Sequence, residues 1–294
     1  MKNHPEQEGS MIQANGLSKC FGTQTVLKQL SIDLPEGQRV ALIGGNGAGK
    51  TTLIRILLGQ YVPAGELTVF GSNPRQDRMN VLRHIGFVPQ NPPPLQMTVR
   101  ELTRLSMALD PSGTFEEIRR CTLVLGLDWE AHQRKPFFKL SGGMKQKLLI
   151  ALTLSRKPRL LIMDEPTANL DPAGRLAFLG ELARLPETTG MLLSSHRVDE
   201  LLGLIERVVE LDQGQITLDQ LVHDRALAGR LLECRVAMVE EYEPLRRVCR
   251  EWSLCNGVLP GVFSGEIAAT DRMRFLSALT PYSHQIRQLH LDLP

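Results

Sequence analysis

The 294-residue sequence predicts an α/β fold: a mixed sheet with helices packed on it, then a small α+β C-terminal unit. Three observations predict it. Short apolar runs recur ("RVALIGG", "RLLIMDEP", "GMLLSS"), each bounded by Gly, Pro or charge and each short enough for a buried strand. Segments with helical spacing alternate with them, the order that builds sheets covered by helices. Beyond about residue 219 the order becomes strand-helix-strand-strand-helix-strand, which is ferredoxin-like.

The elements follow in chain order. Residues 1–10 (MKNHPEQEGS) are polar and patternless and read as a loose tail, with Met11 a second candidate start. Strands are expected at "MIQANGLSKCFG", "TVLKQLSIDLP" and "RVALIGG", then a helix from Lys50 to Leu58 stopped by Gly59. "ELTVFG" and "HIGFVPQ" read as strands. The run Pro92-Pro93-Pro94 cannot be helix interior, because each proline lacks an N–H. Helices fit 98–109 and 114–125, the latter with Thr114 and Glu117 as a capping box. Another helix runs to Leu154, so about 91–155 forms a helical lobe. After the strand "RLLIMDEP" come helix 172–184, strand "GMLLSS", helix 197–204 and a hairpin, "RVVELDQGQITL". The main unit thus covers 11–218. The C-terminal unit, 219–294, reads as helix 219–229, strand 231–239, helix 242–252, strands near 256–263 and 265–269, helix 271–279 and strand 285–291.

Composition excludes several classes. With 42% apolar and 22% charged residues the chain is ordinarily globular, not disordered, collagenous or coiled coil. A net charge of +2 gives no basic field, so no nucleic-acid partner is expected. The five cysteines (Cys20, Cys121, Cys234, Cys249, Cys255) are scattered with no CxxC pair, and read as small buried hydrophobes in a reducing compartment. There is no leader pattern and no apolar run of the ~18 residues that a membrane span needs. Any membrane role passes through a separate chain.

Two motifs carry chemistry. "GGNGAGKTT" comprises Gly44, Gly45, Asn46, Gly47, Ala48, Gly49, Lys50, Thr51 and Thr52, and matches G-x-x-x-x-G-K-[ST] between a strand and a helix. Glycines let successive N–H groups curl around a phosphate chain, and the helix N-terminus adds partial positive charge. Lys50 is expected to reach the β- and γ-phosphates of a nucleotide, and the Thr51 hydroxyl to hold Mg²⁺. "LLIMDEP" places Asp164 at the carboxyl end of a buried strand, facing Mg²⁺, and Glu165 beside it as the group that polarises attacking water.

A third string, "LSGGMKQK" (Leu140–Lys147), contains no base, nucleophile or metal ligand. With these two motifs it makes the chain resemble the nucleotide-binding subunit of an ATP-binding cassette (ABC) transporter, over about Met11 to Leu218. "LSGGM" is similar to that family's signature "LSGGQ", with Met144 in the fifth place. Gln90 in "VPQ" matches the glutamine loop, "NLD" (169–171) the D-loop, and His196 in "SSH" the switch histidine. A serine hydroxyl and glycine N–H groups at a helix start can receive an anion without side-chain charge.

The resemblance implies a P-loop ATPase fold and a dimer, with itself or with a similar ATPase subunit. Two subunits pack head to tail, so that Ser141, Gly142 and Gly143 of one cap the nucleotide on the other. It implies that Gln90 contacts Mg²⁺ or the attacking water, that His196 holds the γ-phosphate, that Asp171 bridges the dimer and that Phe21 stacks on adenine. Gly45, where Pro or Ser is usual, is expected to loosen the loop. The implied partner is a separately encoded integral membrane permease at the cytoplasmic face of the membrane, docking on the Pro-rich segment and the helical lobe. The "SGGM" signature and the C-terminal extension favour export, with import the alternative. A soluble mechanical ATPase is disfavoured, since there is neither a second cassette nor a coiled-coil insertion. The C-terminal unit is expected to be regulatory, dimer-stabilising or simply a packing appendage.

Overall fold

The structure, a computed structural model, describes residues 9–195, 201, 203–222, 231–257, 259–268 and 271–292. Its centre is a six-stranded sheet in the order β5-β6-β7-β3-β8-β9. The strands are β3 (Arg39–Ile43), β5 (Ile85–Val88), β6 (Leu160–Asp164), β7 (Gly190–Ser194), β8 (Arg207–Asp212) and β9 (Gln215–Leu221). All pairs are parallel except the β8–β9 hairpin. Alternation divides each strand between two cores. Val40, Leu42, Leu160, Ile162 and Leu192 face one, while Ala41, Leu161, Met163, Met191 and Leu193 face the other. A sheet buried on both sides explains why its strands read as unbroken apolar runs.

The first core is closed by α1 (Lys50–Leu57) and by a three-stranded antiparallel sheet ordered β2-β1-β4. That sheet holds β1 (Ser10–Phe21), β2 (Gln24–Pro35) and β4 (Ala64–Val69). The alternation read in β2 is real, since Leu30, Ile32 and Leu34 are buried and their neighbours exposed. A short helix, α2 (Arg78–Leu82), had no counterpart in the sequence reading.

The helical lobe contains α3 (Val99–Leu109), α4 (Phe115–Val124), α5 (Trp129–His132) and α6 (Gly142–Leu154). Val99, Leu102, Ile118, Trp129, Phe137 and Leu148 give it a core of its own. The reciprocal capping box lies at Thr98 and Glu101 of α3. At α4, where one was expected, only half forms: Thr114 accepts from the Glu117 amide, but the Glu117 carboxylate pairs with Lys157 instead. A buried Glu181 on α7 (Pro172–Ala183) ties the lobe to the sheet by accepting from Arg120 of α4 at 3.1 and 2.7 Å.

The C-terminal unit contains β10 (Leu231–Met238), α8 (Glu243–Glu251), β11 (Cys255–Asn256), β12 (Val262–Ala268), α9 (Arg272–Leu279) and β13 (Ile286–Asp292). Its sheet order, β11-β12-β10-β13 with every pair antiparallel, is the ferredoxin-like order the sequence predicts. Two local readings are corrected. Residues 219–221 are strand, not helix, because β9 continues in register with β8 and Asp219 pairs with Arg207 at 2.6 Å; residues 223–230 lie outside the described residues. The strands expected near 256–263 and 265–269 are β11 and the longer β12, since the glycine at 261 turns the chain at a φ of 72° before β12 begins.

This unit shares one continuous core with the sheet. α7 is buried on both flanks, the mark of a helix sandwiched between layers, and Thr280 of the C-terminal unit lies against its Gly180. The cysteine reading holds for Cys121, Cys234 and Cys249 but not for Cys20 and Cys255, which are exposed.

Candidate active site

The phosphate loop turns between β3 and α1. Gly44, Gly47 and Gly49 have φ of 144°, 81° and 110°, a region that L side chains rarely adopt. At Gly44 a side chain is excluded twice, since a Cβ would also strike the Leu211 carbonyl oxygen. Gly45 is different. It has no positive φ and a Cβ there meets nothing within 4 Å, so a side chain would fit and glycine is not required at this position. Asn46 and Ala48 complete the turn, with the Ala48 amide donating to Gly45.

Lys50, the first residue of α1, is only 5% exposed. Its Nζ donates to the carbonyls of Gly44 at 2.6 Å and Gly45 at 3.2 Å, and lies 4.0 Å from Glu165 Oε1. Thr51 and Thr52 follow in the first turn of the helix. Thr51 Oγ1 donates to Asp164 Oδ2 at 2.8 Å, so the two residues from separate motifs meet. These are hard oxygen donors, the kind Mg²⁺ takes when phosphate oxygens and water fill its remaining positions. Among the described residues no three His, Cys, Asp or Glu side chains converge as an all-protein metal cage.

Sequence reasoning missed Ser194. Its hydroxyl donates to Asp164 Oδ1 at 2.7 Å and accepts from the Glu165 amide at 2.8 Å. It is fully buried at the end of β7, one strand from Asp164, where the β6–β7 register pairs the two. The "SSH" string was a signal, but it drew attention to the histidine. Glu165 has a φ of 46°, a strained position for a non-glycine residue. The Ser194 bond holds that backbone, and Gln90 Nε2 donates to Glu165 Oε2 at 3.3 Å. Gln90 thus reaches the same carboxylate that the P-loop lysine faces.

The signature string starts α6. Ser141 is its N-cap, with φ −62° and ψ 161°, and accepts from the Met144 amide at 3.2 Å. Gly142 and Gly143 open the helix beside the D-loop, where Asn169 Nδ2 donates to the Gln90 carbonyl at 3.5 Å. Asp171, the N-cap of α7, pairs with Lys147 of α6 at 2.8 Å. The glutamine loop, signature helix and D-loop therefore interlock within one subunit. Phe21 ends β1, 42% exposed, edge-on to Tyr61 with centroids 5.1 Å apart, and Lys19 Nζ lies 5.2 Å from its ring centroid. It is no core aromatic, and Tyr61 is a neighbour the sequence did not flag. His196 and most of the helix expected at 197–204 lie outside the described residues.

Comparison with known proteins agrees with this geometry. The ABC transporter family model matches residues 27–168. An uncharacterized ABC transporter ATP-binding protein, YdbJ of Bacillus subtilis (strain 168), is 32% identical over 214 residues, covering 70% of this chain and 68% of the relative. The bacitracin transport ATP-binding protein BcrA of Bacillus licheniformis is 33% identical over 70% of this chain and 68% of its own. The aliphatic sulfonates import ATP-binding protein SsuB 2 of Rhodococcus jostii (strain RHA1) is 34% identical over 73% and 84%. A solved ATP-binding subunit of an ABC transporter superposes with a TM-score of 0.64 at 27% identity, covering 73% of this chain and 91% of that one. Among the described residues no helix is long and apolar enough to cross a membrane. With a phosphate loop, an Asp-Glu strand end and a signature helix in one fold, this chain belongs to the ABC transporter ATP-binding family, which binds and hydrolyses ATP to power transport.

Proposed function

We propose that the chain is the ATPase subunit of an exporter, working as a head-to-tail pair beneath a separately encoded membrane permease at the cytoplasmic face. The observation that carries the catalytic part is the 2.8 Å bond from Thr51 to Asp164, with Glu165 held alongside by Ser194 and Gln90. Phosphate oxygens replace the Gly44 and Gly45 carbonyls as acceptors for Lys50, and the glycine loop supplies its N–H groups. Thr51 and Asp164, with Gln90, would hold Mg²⁺, which would supply positive charge to offset that of the phosphates. Glu165 accepts a proton from the attacking water and orients it in line with the γ-phosphorus. Phe21 offers its face to adenine, and His196 is assigned to the γ-phosphate.

Ser141, Gly142 and Gly143 cap the nucleotide of the other subunit, and Asp171 meets that subunit across the dimer. The Pro92–Pro94 segment and the helical lobe receive the permease. The "SGGM" signature and the C-terminal extension favour export. Import is the second reading, favoured by the likeness to an importer's ATP-binding protein. Glu165→Gln tests the mechanism: ATP binding persists, turnover falls at least ~100-fold, and a closed dimer accumulates with ATP. Unchanged turnover removes Glu165 from this role. Direction is read from substrate movement in membrane vesicles carrying the co-purified permease.

A further inference from the structure

The C-terminal sheet has one covered face. Leu232, Cys234, Val236, Phe263 and Ile267 point into the core shared with α7 and α9. The alternate residues form the other face, and the register arranges them in rows across the strands. Leu231 pairs with Ala268, Glu233 with Glu266, Arg235 with Ser264, and Ala237, which is already buried within the subunit, with the half-buried Val262. On the far side of β10, the register of β13 places His290 beside Arg235 and Asp292 beside Glu233.

One feature of this face is unfavourable in an isolated subunit. Glu233 and Glu266 are like charges directly opposite each other, a destabilising cross-strand pair. Arg235 stands in the next row, yet among the described residues none of these three side chains has an ion-pair partner. All three are exposed around a hollow of about 520 Å³ that they line with Ser264 and His290.

We propose that this face is an isologous contact with a second copy of the chain, β10 lying antiparallel over β10. A two-fold axis between the sheets, running across the strands at Cys234, sends each row onto its neighbour in the other copy. Glu233 then faces the second copy's Arg235, and Glu266 faces Ser264. Leu231 falls over Ala237 and Ala268 over Val262, apolar on apolar at the two ends. A two-fold axis along the strands instead lays the Glu233–Glu266 row over itself, and like charge excludes it. The antiparallel arrangement is the one that gives Glu233 a cation and Glu266 a hydroxyl donor across the contact. Sheets packed face to face stand about 10 Å apart, close enough for a glutamate and an arginine to meet between them. The contact needs no nucleotide, so it holds two subunits together independently of the head-to-tail ATP contact.

The test is sedimentation of the full chain without ATP at low salt, so that its failure leaves the ATP-dependent contact untouched. Wild type forms a reversible dimer at micromolar concentration. Arg235→Glu and Glu233→Arg each weaken it at least ~10-fold, and the double variant E233R/R235E restores it to within about threefold, because positions 233 and 235 exchange sign together and still face opposite charge. Far-ultraviolet circular dichroism spectra of the single variants that match wild type show that the sheet is intact. A wild type monomeric throughout that range overturns the proposal. So does an unchanged dimer in both single variants, or a double variant as weak as either one.

Discussion

Gly143 of the signature approaches Asn169 of the D-loop so closely that a Cβ at Gly143 would stand 2.8 Å from the Asn169 carbonyl oxygen. Its neighbour Gly142 has no such constraint, since the nearest atom to a Cβ there is Asn169 Oδ1 at 4.0 Å. The two glycines therefore serve different ends, one packing the subunit together and the other leaving a surface free.

Alanine separates them. Gly143→Ala pushes the D-loop away and costs about 1–3 kcal/mol of stability, measured by urea denaturation. Gly142→Ala leaves stability within about 0.5 kcal/mol and lowers ATP turnover without changing nucleotide affinity of the monomer. Equal destabilisation by both substitutions contradicts this division.

Ser194→Ala leaves two buried partners unsatisfied, the Glu165 amide and one Asp164 oxygen. The expected loss is about 1–3 kcal/mol of stability, with turnover reduced as the strained Glu165 backbone relaxes. Ser194→Thr, which keeps the hydroxyl, recovers more turnover than alanine does. Equal turnover in the two variants dissociates Ser194 from the site.

Asp110 gives a pH signature. Burial alone raises its carboxyl, but hydrogen bonds from Ser112 and Arg156 and the Arg156 charge outweigh it and hold the group below the usual carboxylate range. A carboxylate depressed in the folded state stabilises fully above its unfolded value and loses that contribution as pH falls through the folded one. Wild type is thus more stable than Asp110→Asn at neutral pH, and the gap closes below about pH 4. Thermal melts from pH 7 to pH 3 measure it; a gap that widens in acid is the wrong sign.

Thiol reactivity follows burial. Desolvation pushes Cys121 and Cys234 up to about 12 and Cys249 up to about 11, so none carries useful thiolate at neutral pH. A disulfide reagent at pH 8 should titrate Cys20 and Cys255 in the native protein and all five thiols in denaturant. Fast native reaction at a third site contradicts the packing around it.

The sequence by itself determined the phosphate loop, the Asp-Glu strand end, the signature helix and the element order of the C-terminal unit. Each depends on local chemistry: glycine where φ is positive, short apolar runs where strands are buried on both faces, Ser141 where a helix needs a cap. Tertiary structure alone decided which distant residues meet. Ser194 became part of the site because parallel strands β6 and β7 set it beside Asp164, and no spacing in the chain encodes that register. The half-formed cap at Glu117 lost its carboxylate to Lys157, forty positions away. Gly44 and Gly45 are adjacent and alike in the sequence, yet only Gly44 has a positive φ and a neighbour that excludes a side chain. The open face of the C-terminal sheet shows the same division. Alternation fixed which residues share a side, but pairing across three strands put Glu233 against Glu266 and left Arg235 one row away.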